Sequence, residues 1–560
     1  MTSPATEEVD LVIVGGGPTG LLCAVLARRL GLSVSVIDEK PSTLPFGRAD
    51  GLNARTQQYL QIAKVLYDLQ SKGVKCNTSS TFANGEFQSR QSSWWASLEH
   101  CLEKNMLIVG QPEIEKVLLQ KLRTEHSTAA AFFRFDHRAT SISEDADGVT
   151  VKSEHVTAGD GGGNSNGVTT RAKYAIGADG ARSTVRQALD IGFEGTEPEM
   201  VWAALDTLLD TDFPVCPEIV SLQLAGQCRV LWIPRERGMA RFYIRLPEGG
   251  GRARDHARGG RGDDPAAYGA VPGRVFKERI ASSFITKQGR GRVFLAGDAA
   301  HCHSVNGAQG LNTGIADAFG LIWRIALACP KMKPMPSQND QGQNDADENR
   351  MATIMESYNI ERRAVAQNAV KLAATLVRDT RHDAKQYVAT IEKNAGYITG
   401  MGVNYDGLNS PLIAASEQGI WKAGKQCPDL ELTPCFTSRL ESGELRLYAM
   451  VTHTINYGSF LLLDVGTKSH DPYAFYGGGW VRQLIKAVHL VCPATAAAAR
   501  EGGASAGEDN AGFIKPELEA FESEVVNPDD SFTVVVRPDM YVGYVGKKEG
   551  VMAYLTTVLG

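Results

Sequence analysis

Residues 9–14 form an unbroken apolar run that ends in glycines, the pattern of a strand buried on both faces. From residue 18 to 30 the apolar spacing lengthens to the three-and-four step of a helix, closing on Arg28 and Arg29. Residues 34–37 are apolar again, so the chain opens with a β-α-β unit. Residues 149–156 and 168–176 are β-rich runs either side of a Gly/Asn/Ser segment and predict a hairpin. Strands are also predicted over 229–233, 240–246 and 292–296. The Gly/Arg/Asp-rich stretch 248–273 cannot bury a core and predicts a loop. A helix is predicted over 311–328, then a polar, acidic connector over 331–350. Met351, Ile354, Met355 and Tyr358 restart a helical face that runs to about residue 377. Residues 420–560 carry strands of their own (459–465, 532–536) and read as a separate small fold. The whole is an α/β chain.

The first glycines carry chemistry. Gly15, Gly17 and Gly20 form G-x-G-x-x-G between a strand and a helix. Gly15 permits the tight turn, Gly17 lets backbone approach a pyrophosphate, and Gly20 lets helix and strand pack closely. The helix N-terminus then offers unpaired N–H groups to the phosphates. Asp38 ends the next strand, where its carboxylate can bind ribose hydroxyls. Strand, turn, helix and acid together define a dinucleotide site.

Composition narrows the partners. The 560 residues are 43% apolar and 22% charged, ordinary for a globular protein. A net charge of −6 leaves no basic footprint for nucleic acid. The ten cysteines include no C-x-x-C pair, which argues against a disulfide reductase and fits a reducing compartment. Residues 1–10 hold three acids and no base, unlike a targeting peptide, and no stretch is apolar enough to span a membrane, so a cytoplasmic address is expected. His301, Cys302 and His303 superficially suggest a metal site but sit on a turn and read as packing, so no metal is expected.

Two more glycine turns follow strands: residues 177–186, containing Asp179, and residues 297–301, containing Gly297 and Asp298, which run on to Gly310, Leu311 and Asn312. With these three motifs in order, residues 8–405 resemble the FAD-dependent aromatic hydroxylases, the para-hydroxybenzoate hydroxylase and phenol 2-monooxygenase group of single-component flavin monooxygenases. The resemblance implies tightly bound, non-covalent FAD, with NADPH or NADH as a transient reductant. It places Asp298 on the ribityl chain and the helix after Gly310 against the pyrimidine side of the flavin. Asp179 belongs to a motif serving both FAD and NAD(P)H, and Arg48 and Gln111 match positions that touch FAD.

The implied fold is a Rossmann-like FAD-binding domain assembled from residues 1–80, 108–200 and 285–405. A mixed-sheet substrate domain comes from 81–107 and 201–284. Residues 420–560 resemble a thioredoxin-like C-terminal domain, read as structural or dimer-forming because it lacks a dithiol, so a homodimer is expected. One departure is Val305, where the family places proline ahead of its Gly-Gln-Gly loop.

Residues 47–52 resemble the phenol hydroxylase motif whose aspartate, here Asp50, helps deprotonate the phenol. Arg241 and Tyr243 match a strand segment that lines the ring pocket. Removing the phenolic proton raises ring electron density, so the ring can attack the distal oxygen of a flavin C4a-hydroperoxide. Read without the resemblance, Asp50 is a turn residue, Tyr243 a core aromatic and Arg241 a solvated strand residue. The expected partners are a small aromatic substrate and O2. Two alternatives remain: the same flavin chemistry applied to Baeyer–Villiger oxidation or epoxidation of a polyketide-like substrate, or an inactive FAD-binding scaffold.

Overall fold

A computed structural model of the chain describes residues 6–45, 47, 49–92, 103–125, 130–156, 167–196, 201–214, 218–223, 229–245, 270–275, 278–287, 290–303, 309–329, 341–379, 384–435, 445–455, 457–466, 483–501 and 519–559. Contacts divide it into two compact units. One comprises Met1–Leu60, Val65–Ala318 and Arg362–Gly402; the other Gln61–Lys64, Phe319–Glu361 and Val403–Gly560.

The first unit is built on a seven-stranded sheet. Ala131–Arg134, Val34–Ile37, Thr6–Val14 and Val168–Gly177 lie side by side in parallel, with Leu11, Val12 and Ile13 fully buried. The predicted hairpin forms from Val149–His155 and Val168–Gly177, and His137–Glu144 extends it. The strand Val168–Gly177 is shared along its length. Its first half pairs with the hairpin, and its last three residues pair in parallel with Val293–Leu295. Three parallel strands therefore end level with one another at Val14, Gly177 and Leu295.

Helix Pro18–Arg29 buries Leu21, Leu22, Val25 and Leu26. Its approach depends on glycine. A Cβ on Gly20 would sit 2.0 Å from the Gly15 carbonyl oxygen, and Gly15 itself has a φ of +110°.

A second sheet of seven strands runs Ala270–Val275, Val201–Leu208, Met239–Arg245, Arg229–Pro234, Ile219–Gln223, Ser79–Ala83, Glu86–Ser92. It is antiparallel except where Ile219–Gln223 meets Ser79–Ala83 in parallel, which makes it the mixed sheet expected. Side chains alternate across it. One face carries Trp202, Ala204, Leu231, Ile233 and Tyr243 packed together. The opposite face carries a chain of ring contacts linking Phe82, Phe213, Trp232 and Phe242 at centroid distances of 5.4–5.7 Å. The end of the stretch expected to be a loop, Ala270–Val275, is instead an edge strand, because the backbone of Val201–Leu208 offers it a free side to pair with. The small sheet of Gly51–Leu52, Met106–Ile108 and Val74–Cys76 fixes the loop that precedes Gly51.

The second unit has a sheet ordered Leu445–Arg446, Glu431–Pro434, Glu519–Glu522, Ile485–Val491, Phe460–Gly466, Ser531–Val536, Val542–Gly546, followed by helix Lys548–Leu559. Phe460–Gly466 is buried throughout, between a parallel and an antiparallel neighbour. Residues Phe319–Glu361, expected with the cofactor domain, group here. The Tyr457 hydroxyl donates to the Phe319 carbonyl at 2.7 Å, and Trp323 meets Phe460 edge-on at 5.7 Å. Helix Gln341–Asp379 also begins ten residues before the apolar pattern does, since a solvated turn such as that around Glu348 and Asn349 needs no apolar stripe.

A buried ion cluster closes this core. Arg537 donates two bonds of 2.7 Å to Glu361, and Arg324 donates a third at 2.7 Å. Asp539 accepts from Arg537 at 2.6 Å, and Ser410 donates to Glu361 at 2.6 Å. Burial would raise the Glu361 carboxyl, but Arg537 and Arg324 hold it at about 2.

Two expectations follow. Gly20→Ala should cost roughly 1–3 kcal/mol or more through overpacking, read as a lowered urea midpoint with unchanged slope. Glu361→Gln should cost about 3–5 kcal/mol by leaving buried guanidinium charge uncompensated. Because the folded carboxyl titrates below its ordinary value of 4.5, its stabilisation is complete above that value and lost as pH falls towards 2. Wild-type stability should therefore drop over that window more steeply than the variant's, as followed by denaturant titration at several pH values.

Candidate active site

The glycine turns sit at the level ends of the three parallel strands. A Cβ on Gly17 would meet no atom within 4 Å, and helix Pro18–Arg29 starts there without a side-chain cap. An uncapped helix start beside open space at Gly17 is the setting of an anion site. Asp38 accepts from the Gly16 N–H with one oxygen and from the Lys40 N–H at 2.7 Å with the other. Asp38 thus bounds the cradle and holds its turn.

Asp179 accepts from the Val185 N–H at 3.1 Å through one oxygen. Its other oxygen is buried with no hydrogen-bond partner among the described residues, and burial pushes its carboxyl above the usual range. Gly297 has a φ of +61°, and a Cβ there would lie 2.8 Å from the Thr19 hydroxyl. Asp298 beside it is exposed. Helix Gln309–Ala328 begins two residues earlier than its apolar pattern, so Gly310, Leu311 and Asn312 all lie in its first turn. Arg48 and Val305 lie outside the described residues.

The structure adds an organiser that sequence reasoning missed. Asp317, fully buried, accepts from the Gly297 N–H at 2.9 Å, pairs with His301 Nε2 at 2.7 Å and with Arg362 Nε at 2.8 Å. Burial would raise its carboxyl, but these two partners hold it at about 2. An acid inside the apolar stripe of residues 315–322 was the available signal. His301 stacks on His303 at 5.4 Å, and no cluster of metal-binding side chains forms among the described residues.

The loop bearing Asp50 is tied from three sides. The Val109 N–H donates to the Asp50 carbonyl at 2.8 Å, and the Gln111 N–H to the Ala49 carbonyl at 2.9 Å. The Gln111 side chain accepts from the Ala49 N–H at 3.4 Å. Asn312 accepts from the Asn53 N–H at 3.0 Å and donates to the Gly51 carbonyl at 2.9 Å.

The Asp50 carboxylate then meets the substrate sheet. Arg241 Nη1 lies 3.1 Å from Asp50 Oδ2 and donates to Tyr243 Oη, also at 3.1 Å. The three expected catalytic residues thus converge on one guanidinium nitrogen, and all three are buried. Arg241 is 1% exposed, which excludes its reading as a solvated strand residue.

Three further charged groups complete the cluster. Asp206, opposite Arg241 on the neighbouring strand, takes two bonds from it at 2.7 Å. Arg235 Nη1 lies 3.3 Å from Asp206 and 3.7 Å from Asp50. Glu236 grips Arg235 through bonds of 2.9 and 2.8 Å and accepts from the Gly110 N–H at 3.2 Å. Burial raises the Asp50 carboxyl, outweighing the pull of Arg241 and Arg235, with Asp206 and Glu236 adding to the rise. Burial and the charge of Asp50 push the Tyr243 hydroxyl up to about 12, so it keeps its proton.

Comparison with known proteins agrees with this architecture. The FAD binding domain family matches residues 8–259 and 270–337. A phenol 2-monooxygenase of Aspergillus fumigatus is 25% identical over 528 residues, covering 84% of this chain and 81% of its own. The pentachlorophenol 4-monooxygenase of Sphingobium chlorophenolicum is 26% identical over 474 residues, covering 80% and 79%. Three other relatives are matched over 62–64% of their own lengths. The structure of aklavinone-11 hydroxylase with FAD and aklavinone shares the fold across 100% of both chains, with a TM-score of 0.71 at 21% identity. The chain belongs to the FAD binding domain family, and within it to the FAD-dependent aromatic hydroxylases. FAD is its cofactor, and NAD(P)H is the reductant typical of this family.

The residues present fit FAD. The open face at Gly17, the uncapped helix start, the unpartnered oxygen of Asp179 and the exposed Asp298 are what a dinucleotide would engage. Gly17→Val should therefore fold like wild type, since a Cβ there meets no atom within 4 Å, yet lose the yellow colour. Circular dichroism and the 450 nm absorbance of purified protein check both halves; a folded variant with full FAD would contradict the cradle.

Proposed function

We propose that this chain hydroxylates a phenolic ring, with Asp50 as general base and Tyr243 and Arg241 orienting the phenol oxygen. The observation that carries the reading is the convergence of Asp50 and Tyr243 on Arg241 Nη1 beside the apolar face of Trp202, Leu231 and Ile233. Bound FAD, reduced by NAD(P)H, supplies the activated oxygen. In sum, a ring C–H, O2, NAD(P)H and a proton give a ring C–OH, water and NAD(P)+.

The protein's part is proton handling and placement. Tyr243 Oη already accepts from Arg241, so its own proton points elsewhere and can hydrogen-bond the substrate oxygen. Asp50, raised above an ordinary carboxylate, is a stronger base for the phenolic proton. The transfer moves one negative charge from Asp50 to the substrate oxygen, and both positions lie against Arg241. A carbonyl or alkene offers Asp50 no proton to remove, so the cluster favours a phenol over Baeyer–Villiger oxidation or epoxidation.

The proposal extends to the cofactor residues. Asp38 serves the ribose, Asp179 serves FAD and NAD(P)H, and Asp298 serves the ribityl chain. Arg48 and Gln111 border the flavin, with Gly310, Leu311 and Asn312 beneath its pyrimidine side. The C-terminal unit is read as thioredoxin-like, redox-inert and dimer-forming. Its Cys427, Cys435 and Cys492 are buried, and the setting is read as reducing and cytosolic from the absence of any C-x-x-C pair.

Asp50→Asn should retain FAD and accept hydride, while hydroxylation falls by roughly 10²–10⁴-fold and peroxide replaces product. In wild type, kcat/KM for hydroxylation should rise with pH through the raised pKa of Asp50, because only the carboxylate accepts the proton. That limb should vanish in the variant. Product and peroxide yields on one accepted phenol across pH 4–8 decide it. Near wild-type hydroxylation by Asp50→Asn would make Asp50 a turn residue only. NADPH oxidation that no phenol stimulates would favour the inactive-scaffold reading.

A further inference from the structure

The buried charges around Asp50 define what kind of oxygen the site can receive. Two guanidinium groups, Arg235 and Arg241, face three carboxylates, Asp50, Asp206 and Glu236. Neither arginine offers its charge outward. Glu236 takes two bonds from Arg235, and Asp206 takes two from Arg241 in the side-by-side geometry that a bound carboxylate would otherwise adopt. Toward Asp50, Arg241 presents Nη1, which also donates to Tyr243, and Arg235 presents Nη1 at 3.7 Å, shared with Asp206.

The strand pattern shows why Asp206 holds this position. Trp202, Ala204 and Asp206 fall on one face at period two, and register sets Asp206 opposite Arg241 and Ala204 opposite Tyr243. Asp206 is thus the third member of a row whose other two pack with Tyr243 in the apolar cluster. An apolar residue at 206 would continue that surface and leave Arg241 with a free bidentate edge. In a buried site, where charges interact strongly, that edge would attract an anion.

We infer that Asp206 is a specificity-determining residue: by occupying the bidentate edge of Arg241 it makes the site select a neutral phenol and reject a ring carboxylate at the same position. The inference rests on the reading that the substrate oxygen meets Asp50 and Arg241. Within that reading it names the substrate class, a neutral hydroxyarene without a carboxylate directed at this cluster. Asp206 acts through Arg241 and transfers no proton itself.

The test uses 2-naphthol and 2-naphthoate, nearly matched in shape and differing in charge at neutral pH. Binding to the FAD-loaded enzyme is read from the change in flavin absorbance, independently of turnover. Wild type should bind naphthol at least about tenfold more tightly than naphthoate. Asp206→Asn, which keeps shape but removes the charge that neutralises Arg241, should tighten naphthoate and shrink the ratio by about tenfold. Asp206→Glu, which restores the charge, should return the ratio towards wild type. Wild type that binds naphthoate as well as naphthol overturns the inference, whether or not either variant folds. So does an unchanged ratio in FAD-replete Asp206→Asn. If neither compound perturbs the flavin or competes with an accepted phenol, the placement of the ring at Asp50 fails first, and the inference with it.

Discussion

Parallel pairing of Val168–Gly177 with Thr6–Val14 on one side and Val293–Leu295 on the other is the interaction from which the cofactor site follows. The register is such that Val14, Gly177 and Leu295 stand abreast, and each strand passes into its glycine turn within two residues. Backbone bonds continue the pairing past the strand ends: the Ala178 N–H reaches the Val14 carbonyl, and the Ala296 N–H the Gly177 carbonyl. Motifs separated by more than a hundred residues are thereby delivered to one edge of one sheet. A slip in either register would separate Asp179 and Asp298 from the helix start at Gly17.

The second constraint is electrostatic. Two buried acids of the first unit are matched by arginine: Asp317 by Arg362, and Asp50 by Arg241 and Arg235, which also hold the partly buried Asp206. Burying a lone carboxylate would simply protonate it. The pairing lets Asp317 remain ionised and hold the Gly297 turn, whereas at Asp50 burial, with Asp206 and Glu236 adding to it, outweighs the two arginines and raises the carboxyl. Two buried carboxylates are thus given opposite shifts by their surroundings, one fixing backbone and the other suited to the proton transfer proposed for it.

The glycine turns were legible in the sequence because their conformations and close approaches exclude other residues. Gly15 and Gly297 need positive φ, and Gly20 has a carbonyl oxygen where a Cβ would be. The buried parallel strands were legible as continuous apolar runs. Asp206 was not, since its partner Arg241 lies 35 positions away and only strand register unites them. Alternation at 202, 204 and 206 revealed a face but not what the face opposes. Arg235 and Glu236 were hidden in the same way, lying just past a strand end where charged residues are usually solvated. The extra turns of helix Gln341–Asp379 and the edge strand Ala270–Val275 escaped because neither is signalled by an apolar pattern.

The two constraints meet at the Asp50 loop. Its backbone is paired to Met106–Ile108 and bridged by Asn312 from the first turn of helix Gln309–Ala328, while its carboxylate is held by Arg241 from the substrate sheet. The bonds from Asn312 to the Asn53 N–H and the Gly51 carbonyl engage backbone, so they set position without depending on the protonation of Asp50. The helix expected to lie beneath the flavin and the carboxylate expected to face the phenol therefore belong to one hydrogen-bonded framework. On the proposed reading, the separation between oxygen source and ring would be set before substrate arrives, and Asp50 would exchange its proton on a loop whose position rests on backbone bonds.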